Sequence, residues 1–565
     1  MNILVVQTTR MGDMLQTSPL IRMIRNQYPG ARITAMVRGM GKIIAERHPD
    51  VDDVIVYNED AMFLDMRARD SRRLLRAYRH ADAIVTDLRA RRFDLAYNTT
   101  HSVASAMLLR MAGIPRVIGA DIGEQGEFVL RGRWVNYFFT SVMNRDYNDL
   151  NLCDITRHFA EGAQPCRELI FELREEDRAF SESFWKEHDI QPRDFVACMQ
   201  LGASELNKRW SQERFAELGR MLRDDRRARI LLVGVNEEAP LGEAFERHAP
   251  GVAIHLYGKT SVPQLAALLE RASVLITNDT GTMHIAAAVK CPIVLVSVGH
   301  VHYRETGPFG EGHAAIERRK ERLGRSDQLH AQLEEQASIT AEQVRLVMDH
   351  VLERTVQSLA DSPVLKQVDV YTTRFAPDGC LEFYPAIRRP LEERDLVRMA
   401  YRAMWLEHLG ALPEPGANLS SLRTMLAAFL IPDKHMMSQQ CRALALDFGE
   451  LTRIAKLGVE GSQALTDSLR ASKFQQARQQ VQHLMALDEQ ARLHSELHPA
   501  CRPLAMMARF ERDNLEGADA MHLAAVTLAI YEACADRAEG MARALDTIAR
   551  MLDESLPNES AGHTS

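Results

Sequence analysis

The 565-residue sequence predicts an α/β protein of two successive parallel-sheet units followed by a mainly helical part. Three observations support this fold class. Short β-rich runs alternate with helical segments from Asn2 to Ile118. The alternation starts again at Phe195, just after the stretch Gln191-Pro192-Arg193, which resembles a linker. From about Val356 onward, helical periodicity dominates.

Composition narrows the class of protein further. The formal net charge of -8 argues against general nucleic-acid binding, and no nucleic-acid partner is expected. The opening run Met-Asn-Ile-Leu-Val-Val predicts a strand rather than a secretory signal, and no apolar stretch is long enough to span a bilayer. We therefore expect a cytoplasmic protein, with a peripheral position at the inner membrane as its only form of membrane association.

Cysteine and acidic patterns give no sign of a metal site. The cysteines are scattered without a C-x-x-C pair, which predicts reduced thiols rather than a disulfide framework or a zinc site. They are Cys153, Cys166, Cys198, Cys291, Cys380, Cys441, Cys501 and Cys534. Asp50-Val51-Asp52 has the D-x-D form of a metal motif, but it directly precedes a strand, on the wrong side of the sheet for ligands. We predict that it is a loop.

The first unit, expected at residues 1–190, begins with a strand at Asn2–Val6. A turn with Gly12 and Asp13 follows, and helical periodicity then runs to Ile24. Further strands are predicted at Ile33–Val37, Val54–Tyr57, Leu95–Tyr97 and Arg116–Ile118. Strands that alternate with helices imply right-handed crossovers and a parallel sheet. Asp13 is therefore expected at the carboxyl edge of this sheet.

An arginine-rich insertion lies between the second and third of these later strands. Residues Met62 to Arg92 contain nine arginines and four acidic residues, an unusual excess in an acidic protein. One interpretation is a solvated helix face. The other is a recognition surface for phosphate or carboxylate groups, which the planar guanidinium suits.

The second unit, expected at residues 191–355, repeats the Rossmann-like architecture without repeating the sequence. Its strands are predicted at Phe195–Gln200, Ile230–Val233, Ile254–Leu256, Ala272–Ile276 and Pro292–Val298. A helix is predicted at Gln212–Leu222, and a capping box at Thr340 begins a closing helix that runs to about Arg354.

The turn Asn278–Gly281 joins a buried strand to a helix of small residues. It gathers the Asp279 carboxylate, the Thr280 hydroxyl and the N–H groups of a helix start at the carboxyl end of a sheet, where open α/β sheets bind anions. His284 can turn a cationic or hydrogen-bonding imidazole towards the same point. The alternative is that Asp279 is an ordinary N-cap and His284 a helix-surface residue.

The third part, residues 356–565, is predicted to begin with a β-hairpin of Val368–Tyr371 and Leu381–Tyr384. Helices are then predicted at Leu396–Leu409, Leu422–Leu430, Cys441–Ala455, Phe474–Met485, Met521–Ala535 and Met541–Leu552. No repeat period points to a solenoid. Pro557–Ser565 is expected to be disordered.

Residues 1 to about 355 resemble the bacterial heptosyltransferases of glycosyltransferase family 9, which add heptose to the lipopolysaccharide inner core. The blocks that carry the resemblance are Thr8-Thr9-Arg10-Met11-Gly12-Asp13, Gly202-Ala203-Ser204 with Lys208-Arg209-Trp210-Ser211, the weaker Gly258-Lys259-Thr260-Ser261, and Asn278-Asp279-Thr280-Gly281-Thr282-Met283-His284-Ile285-Ala286-Ala287-Ala288. The resemblance implies a GT-B fold of two Rossmann-like domains facing across a cleft, and a metal-independent, inverting transfer. It does not cover the helical part.

The resemblance also implies roles for single residues. Asp13 matches the catalytic base, although a helix N-cap carboxylate would occupy the same position. Lys208 matches the lysine that contacts the donor diphosphate. The remaining donor-binding positions implied are Ser204, Asp279, Thr280, Gly281 and His284 for the phosphates or sugar, Thr260 for the base pocket, and Glu238 or its neighbour Glu237 for the nucleoside.

These residues predict transfer of heptose from ADP-heptose to an anionic saccharide acceptor such as the lipopolysaccharide core, with no other cofactor. Arg72, Arg73 and Arg76 of the insertion are the predicted contacts to acceptor phosphates or carboxylates. Two alternatives remain open. The acceptor is a protein, with residues 356–565 binding a protein partner or forming an oligomer, or the chain is a non-catalytic nucleotide-sugar-binding scaffold.

Overall fold

The computed structural model describes residues 1–68, 70–160, 165–319, 338–353, 359 and 362–554. Arg69 of the insertion, the predicted helix end at Arg354 and the tail Pro557–Ser565 lie outside these residues. The chain forms two compact units. Unit 1 comprises Met1–Asp94, Asn151–Ala376 and Cys380–Arg389, and unit 2 comprises Leu95–Leu150, Pro377–Gly379 and the chain from Pro390 onward. The domain boundaries at residues 190/191 and 355/356 stay predictions.

The described residues form strands and helices that alternate over the first half of the chain. The strands are β1 (Asn2–Gln7), β2 (Arg32–Val37), β3 (Asp53–Val56), β4 (Leu95–Asn98), β5 (Val117–Ile122), β6 (Phe128–Arg131), β7 (Val196–Gln200), β8 (Arg229–Val233), β9 (Ala253–His255), β10 (Val274–Thr277), β11 (Ile293–Ser297), β12 (Ala314–Arg318), β13 (Val368–Phe375) and β14 (Leu381–Pro385). The helices up to the end of the second sheet are α1 (Met11–Gln27), α2 (Gly41–Glu46), α3 (Glu59–Arg67), α4 (Ser71–Arg91), α5 (Val103–Ala112), α6 (Arg133–Met143), α7 (Leu152–Arg157), α8 (Glu175–Glu187), α9 (Gln212–Arg226), α10 (Ala239–His248), α11 (Val262–Arg271), α12 (Gly281–Ala288), α13 (Tyr303–Thr306) and α14 (Ala341–Glu353). The later helices are α15 (Glu393–His408), α16 (Ala417–Ala427), α17 (Lys434–Arg470), α18 (Phe474–Leu497), α19 (Arg502–Asp513) and α20 (Ala520–Glu554). The predicted α/β class with a helical C-terminal part is confirmed.

Unit 1 contains parallel strands from both predicted Rossmann-like halves. β1 pairs in parallel with β2, and β2 with β3. The second sheet has eight strands in the order β14-β13-β12-β11-β10-β7-β8-β9. Strands β7 to β12 pair in parallel there. The central strands β7, β10 and β11 are buried throughout, as expected for a parallel sheet covered on both faces.

The predicted hairpin is present as β13 and β14, and it extends the second sheet. β13 pairs antiparallel with β12, and β14 pairs antiparallel with β13. The sequence analysis grouped this hairpin with the helical part, residues 356–565. Its side chains join the core of unit 1 instead, with Val368 and Val370 buried among the residues of the second sheet.

Unit 2 contains β4 parallel to β5, β6 antiparallel to β5, and the C-terminal helices. Several predicted helix ends are wrong. Cys441–Ala455 is part of α17, which runs on to Arg470, and Phe474–Met485 is part of α18, which runs on to Leu497. The predicted helices Met521–Ala535 and Met541–Leu552 are one continuous helix, α20. Two glycines within α17 and α20 allow close packing. A Cβ on Gly458 would lie 2.2 Å from Tyr531 Cδ1, and one on Gly540 would lie 2.8 Å from Met404 Cγ.

All eight cysteines are free thiols, and all but Cys166 are buried. Among the described residues, no helix combines the length and the apolar character that a bilayer crossing requires.

Candidate functional site

Unit 1 contains a cavity of about 590 Å³, within the size range of small-ligand sites. Its lining comes from segments that follow the carboxyl ends of β1, β2, β7, β8, β9, β10 and β11. Nine of the sequence-predicted site residues line it together. They are Asp13, Ser204, Lys208, Glu238, Thr260, Asp279, Thr280, Gly281 and His284. The structure thus gathers residues that lie far apart in the chain at the edge of the sheets where α/β folds bind ligands.

Asp13 lies in the first turn of α1 and also faces the cavity. Its Oδ2 accepts hydrogen bonds from the Arg10 backbone N–H at 3.0 Å and from the Thr9 hydroxyl at 2.6 Å. Asp13 is the third residue of the helix and caps it through one carboxylate oxygen, while the N-cap residue is Arg10, so the N-cap position predicted for Asp13 is wrong. Its role as catalytic base stays a prediction. The other oxygen, Oδ1, has no hydrogen-bond partner among the described residues.

Thr9 connects Asp13 to the end of β1. Its hydroxyl oxygen lies 2.6 Å from Gln7 Oε1 and 2.6 Å from Asp13 Oδ2. The orientation of the Gln7 amide is set by two further contacts. Its Oε1 accepts the Thr9 backbone N–H at 3.3 Å, and its Nε2 donates to Thr17 Oγ1 at 3.2 Å. Thr17 in turn donates to the Asp13 carbonyl at 2.8 Å.

The first turns of α1 and α12 approach each other at two glycines. A Cβ on Gly12 would lie 3.0 Å from His284 Cδ2, and a Cβ on Gly281 would lie 2.9 Å from Met11 Cε. Larger residues at either position would push the helix starts apart. The close approach brings His284 into electrostatic reach of the Asp13 carboxylate.

His284 is buried, and burial lowers its pKa to about 4, while the Asp13 charge opposes that shift. The imidazole is therefore neutral at neutral pH. The interpretation of His284 as a helix-surface residue is wrong, because its side chain is buried, and its contact with a ligand stays a prediction. Among the described residues its Nδ1 is buried without a hydrogen-bond partner.

The N-cap of α12 is Thr280 rather than Asp279, so the interpretation of Asp279 as an ordinary N-cap is wrong. Thr280 has an extended backbone, with φ -145° and ψ 165°, and its hydroxyl lies 3.3 Å from the Thr277 hydroxyl. Because the cap falls one residue later, the start of α12 with Gly281 and Thr282 opens into the cavity. These first N–H groups have no partner within their own helix and suit an anion.

Lys208 ends a short 3-10 turn, and its side chain is 18% exposed. Its Nζ lies 3.2 Å from Glu205 Oε1, whose side chain is 57% exposed. The backbone of this loop leaves no room for a side chain at position 299, since a Cβ there would lie 2.3 Å from Asn207 O. The ammonium group is therefore held at the cavity wall with an exposed carboxylate as its partner.

Asn278 is a buried positioning residue whose role the sequence did not reveal. Its Oδ1 accepts the Trp210 backbone N–H at 2.9 Å, and its Nδ2 donates to Leu201 O at 2.9 Å and Gly202 O at 3.2 Å. It thereby connects the loop that carries Lys208 to the turn before α12. An asparagine directly after a buried strand was the available signal.

Glu238 lines the cavity, and its neighbour Glu237 does not. The Glu238 Oε2 accepts from Gln200 Nε2 at 2.9 Å and from the Val235 backbone N–H at 3.2 Å. Gln200, which the sequence analysis missed, also accepts from the Thr282 hydroxyl at 3.1 Å. A Cβ on Gly202 would lie 1.6 Å from Glu238 Oε1, so this carboxylate occupies space that only a glycine leaves open.

Arg72, Arg73 and Arg76 lie on α4 and do not line the cavity. Arg73 and Arg76 both pair with Asp65 of α3, at 2.8 Å each, and these guanidinium groups hold the pKa of Asp65 well below its usual range. The helix buries Ala77, Val85 and Leu88, so the arginines occupy its solvated side. The structure thus separates these three predicted residues from the other nine, and their proposed role stays a prediction.

Asp50 and Asp52 form ion pairs instead of a metal site. Asp50 pairs with Arg22, and Asp52 accepts from Arg25 at 2.7 Å and from the Ile33 backbone N–H at 2.7 Å. Both carboxylates fix the loop before β3. Over the described ranges, no group of three or more His, Cys, Asp or Glu side chains is placed to hold a metal ion.

Comparison with known proteins finds a matching family model, similar sequences and similar solved structures. Residues 82–328 match the model of Glycosyltransferase family 9 (heptosyltransferase). Lipopolysaccharide heptosyltransferase 2 of Escherichia coli (strain K12) is 26% identical over 301 residues, which are 52% of this chain and 82% of that protein. Lipopolysaccharide heptosyltransferase 3 of the same strain is 23% identical over 310 residues, again 52% of this chain and 82% of that protein. Among solved structures, E. coli ADP-heptose lps heptosyltransferase II is 21% identical, with a TM-score of 0.47, and the match covers 63% of this chain and 99% of that one.

Proposed function

We propose that this chain, whose residues 82–328 match the model of Glycosyltransferase family 9 (heptosyltransferase), is a glycosyltransferase that transfers heptose from ADP-heptose to an anionic saccharide acceptor. The lipopolysaccharide inner core is the proposed acceptor, because the relatives of this chain are named for lipopolysaccharide. The single observation that carries the proposal is the cavity of unit 1, which contains Asp13, Lys208 and the start of α12 together.

In the proposed reaction, Asp13 is the general base. The acceptor hydroxyl gives its proton to the carboxylate, and its oxygen forms a bond to the anomeric carbon of the heptose. The bond between that carbon and the diphosphate oxygen breaks, and its electron pair leaves with ADP. Attack from the side opposite the leaving group inverts the anomeric centre. The support for this role is that Asp13 Oδ1 is left unused by the helix cap.

The charge that develops on the departing diphosphate needs stabilisation without a metal ion in this proposal. Lys208 supplies a positive charge, and the N–H groups at the start of α12 supply aligned donors. Ser204 and Thr280 add hydroxyl groups, and the neutral His284 adds a hydrogen bond. These groups all line the cavity in which we propose that the diphosphate binds.

Glu238 and Thr260 form the proposed nucleoside end of the donor site. Glu238 is held by Gln200 and the Val235 N–H, so its carboxylate is fixed to accept from a ribose hydroxyl. Asp279 is the proposed contact to the sugar. The free cysteines fit a reducing compartment, and we propose that the enzyme works in the cytoplasm. Arg72, Arg73 and Arg76 are the proposed acceptor contacts.

Asp13→Asn tests the assignment of the base. Asparagine keeps an oxygen for the Arg10 N–H but cannot take a proton at neutral pH, so we expect turnover to fall by about 10²- to 10⁴-fold. Calorimetric titration with ADP should give an unchanged affinity, because the base does not contact the nucleotide in this mechanism. Turnover at the wild-type rate would remove Asp13 from the reaction, and a loss of ADP affinity would assign it to the donor site.

A protein acceptor is the second candidate. The observation that favours it is the helical part from α15 to α20, which lies outside the matched residues 82–328. Intact-mass measurement of co-expressed surface proteins separates the candidates, since a mass gain of one heptose would appear only with a protein acceptor. The assembled site argues against a scaffold that binds nucleotide sugars without catalysis.

A further inference from the structure

Several large apolar side chains are exposed on the helical hairpin that α3 and α4 form. Helix α3 has no buried residue, although its sequence is rich in large apolar side chains. Phe63 is 41% exposed, Leu64 63% and Met66 52%. A helix with this composition normally buries one face, so the apolar side of α3 lacks a covering partner among the described residues.

Helix α4, whose Arg73 and Arg76 pair with Asp65 of α3, also exposes large apolar side chains. Leu74 is 56% exposed, Leu75 47% and Tyr78 67%, all within its first turns. Helix α4 faces the protein core through Ala77, Val85 and Leu88. The three exposed side chains are therefore not part of the core. We call the six side chains of the two helices the apolar patch: Phe63, Leu64, Met66, Leu74, Leu75 and Tyr78. Large apolar side chains concentrated in this way on two packed helices indicate an interaction surface.

Arginines surround the apolar patch. Arg67, Arg72 and Arg79 are exposed and form no ion pair with the described residues. Arg73 and Arg76 share one carboxylate, that of Asp65, so this group also has an excess of positive charge. Two copies of such a surface would repel each other, and a dissolved phosphate would leave the apolar side chains uncovered. The partner must therefore be both negatively charged and apolar.

We propose that the α3–α4 hairpin docks the chain onto an anionic lipid surface. The apolar patch enters the boundary between headgroups and acyl chains, and the arginines contact headgroup phosphates. Long arginine side chains reach such phosphates while their stems stay in the apolar layer. This contact is peripheral and reversible, because only one face of the two helices enters the lipid layer.

The hairpin arises at the edge of the sheet that carries the catalytic cavity. It follows the carboxyl end of β3, and β1 to β3 are parallel, so the loop with Asp13 begins at the same edge. The loop after β2 joins the two features. Its Met40 lines the cavity, and its Arg38 pairs with Asp60 of α3. A docked hairpin therefore holds this side of the cavity at the lipid surface.

Vesicle sedimentation tests the docking surface without any transfer assay, so its result is separate from that of the proposed function. The full-length protein should sediment with vesicles of equal parts phosphatidylglycerol and phosphatidylcholine, and not with vesicles of phosphatidylcholine alone. Binding should weaken steeply with added salt. Equal binding to both kinds of vesicle, or no binding to either, would overturn the proposal.

Two pairs of matched variants assign the binding to this surface. L64S/L75S should abolish most of the sedimentation, while L493S/L497S, which removes two exposed leucines of α18, should leave it unchanged. R67Q/R79Q should weaken binding by about thirtyfold, and R470Q/R543Q, which changes two exposed arginines elsewhere, should not. Arg67 and Arg79 are chosen because they are not proposed acceptor contacts. Circular dichroism checks that each variant is folded.

Two outcomes would redirect the assignment to other partners. If inorganic phosphate at matched ionic strength displaces the protein from the vesicles, the arginines bind a soluble anion and the lipid proposal is wrong. If L64S/L75S lowers the molecular mass in light scattering and leaves vesicle binding intact, the apolar patch joins copies of the chain and the proposal is wrong. Loss of vesicle binding at unchanged mass supports it.

Discussion

His284 illustrates how a single buried residue connects the site to the stability of the fold. Its pKa is lowered to about 4 by burial, against about 6.5 in an unfolded chain. Between these values the unfolded chain binds the proton and the folded chain does not, so stability is present above pH 6.5 and is lost as the pH falls towards 4. The loss attributable to this residue is about 3 kcal/mol at the acidic end.

A histidine variant measures this contribution. The melting temperature of the wild type should fall between neutral pH and about pH 4.5. In H284N the fall should be smaller, because asparagine has no imidazole that binds a proton on unfolding. H435N, at an exposed position, should follow the wild-type curve. Parallel pH curves for H284N and the wild type would mean that His284 titrates normally in the folded protein.

Substitutions of Lys208 and Glu205 should change the affinity for ADP in different directions. Lys208→Gln should weaken ADP binding by about tenfold or more, because the proposed charged contact to phosphate would be lost. Glu205→Gln should leave binding unchanged or tighten it a few-fold, since its carboxylate, 3.2 Å from the ammonium of Lys208, would compete with the proposed diphosphate for that group. Isothermal titration with ADP measures both. Weaker binding in E205Q would show that Glu205 positions Lys208 instead of competing with its ligand.

At the scale of elements, substitution of two glycines in α17 distinguishes the effect of side-chain packing on stability from that of helix propensity. Gly458→Ala should destabilise the protein by about 1–3 kcal/mol, because the added methyl meets the ring of Tyr531. Gly449→Ala, in the same helix with nothing within 4 Å of its Cβ, should stabilise it by up to about 1 kcal/mol. Thermal unfolding followed by far-UV circular dichroism compares them. Equal effects of both changes would show that α17 does not pack against α20 at this point.

Some elements of the fold were predictable from the sequence and others were not. Strand–helix alternation located most strands of both sheets to within a few residues, because buried apolar runs and glycine turns are local signals. Strands β6 and β12 were not predicted. The continuity of α17 and α20 was not predictable, because it depends on neighbouring helices that are distant in sequence. In the site, motif residues such as Asp13, Lys208 and His284 were identified. Gln200 and Asn278 were missed, because their roles depend on contacts across the sheet.

At the scale of the whole molecule, nucleotide binding should slow hydrogen exchange in unit 1 and not in the C-terminal helices. All the residues that line the candidate site belong to unit 1. Hydrogen exchange with and without ADP should therefore slow in the loops after β1, β7, β8 and β10, and stay unchanged in α17 to α20. A second cavity, of about 370 Å³, lies among those helices beside Tyr531 and Asp488. Protection there, and not in the loops, would move nucleotide binding to the helical part.

The hydroxyl of Thr9 has one hydrogen and two close acceptors, Gln7 Oε1 and the ionised Asp13 carboxylate. A single hydrogen can bridge only one of these two oxygen pairs at a time, so the hydroxyl is shared between the end of β1 and the carboxylate. A change in the position of the Gln7 amide would therefore reach the carboxylate through Thr9.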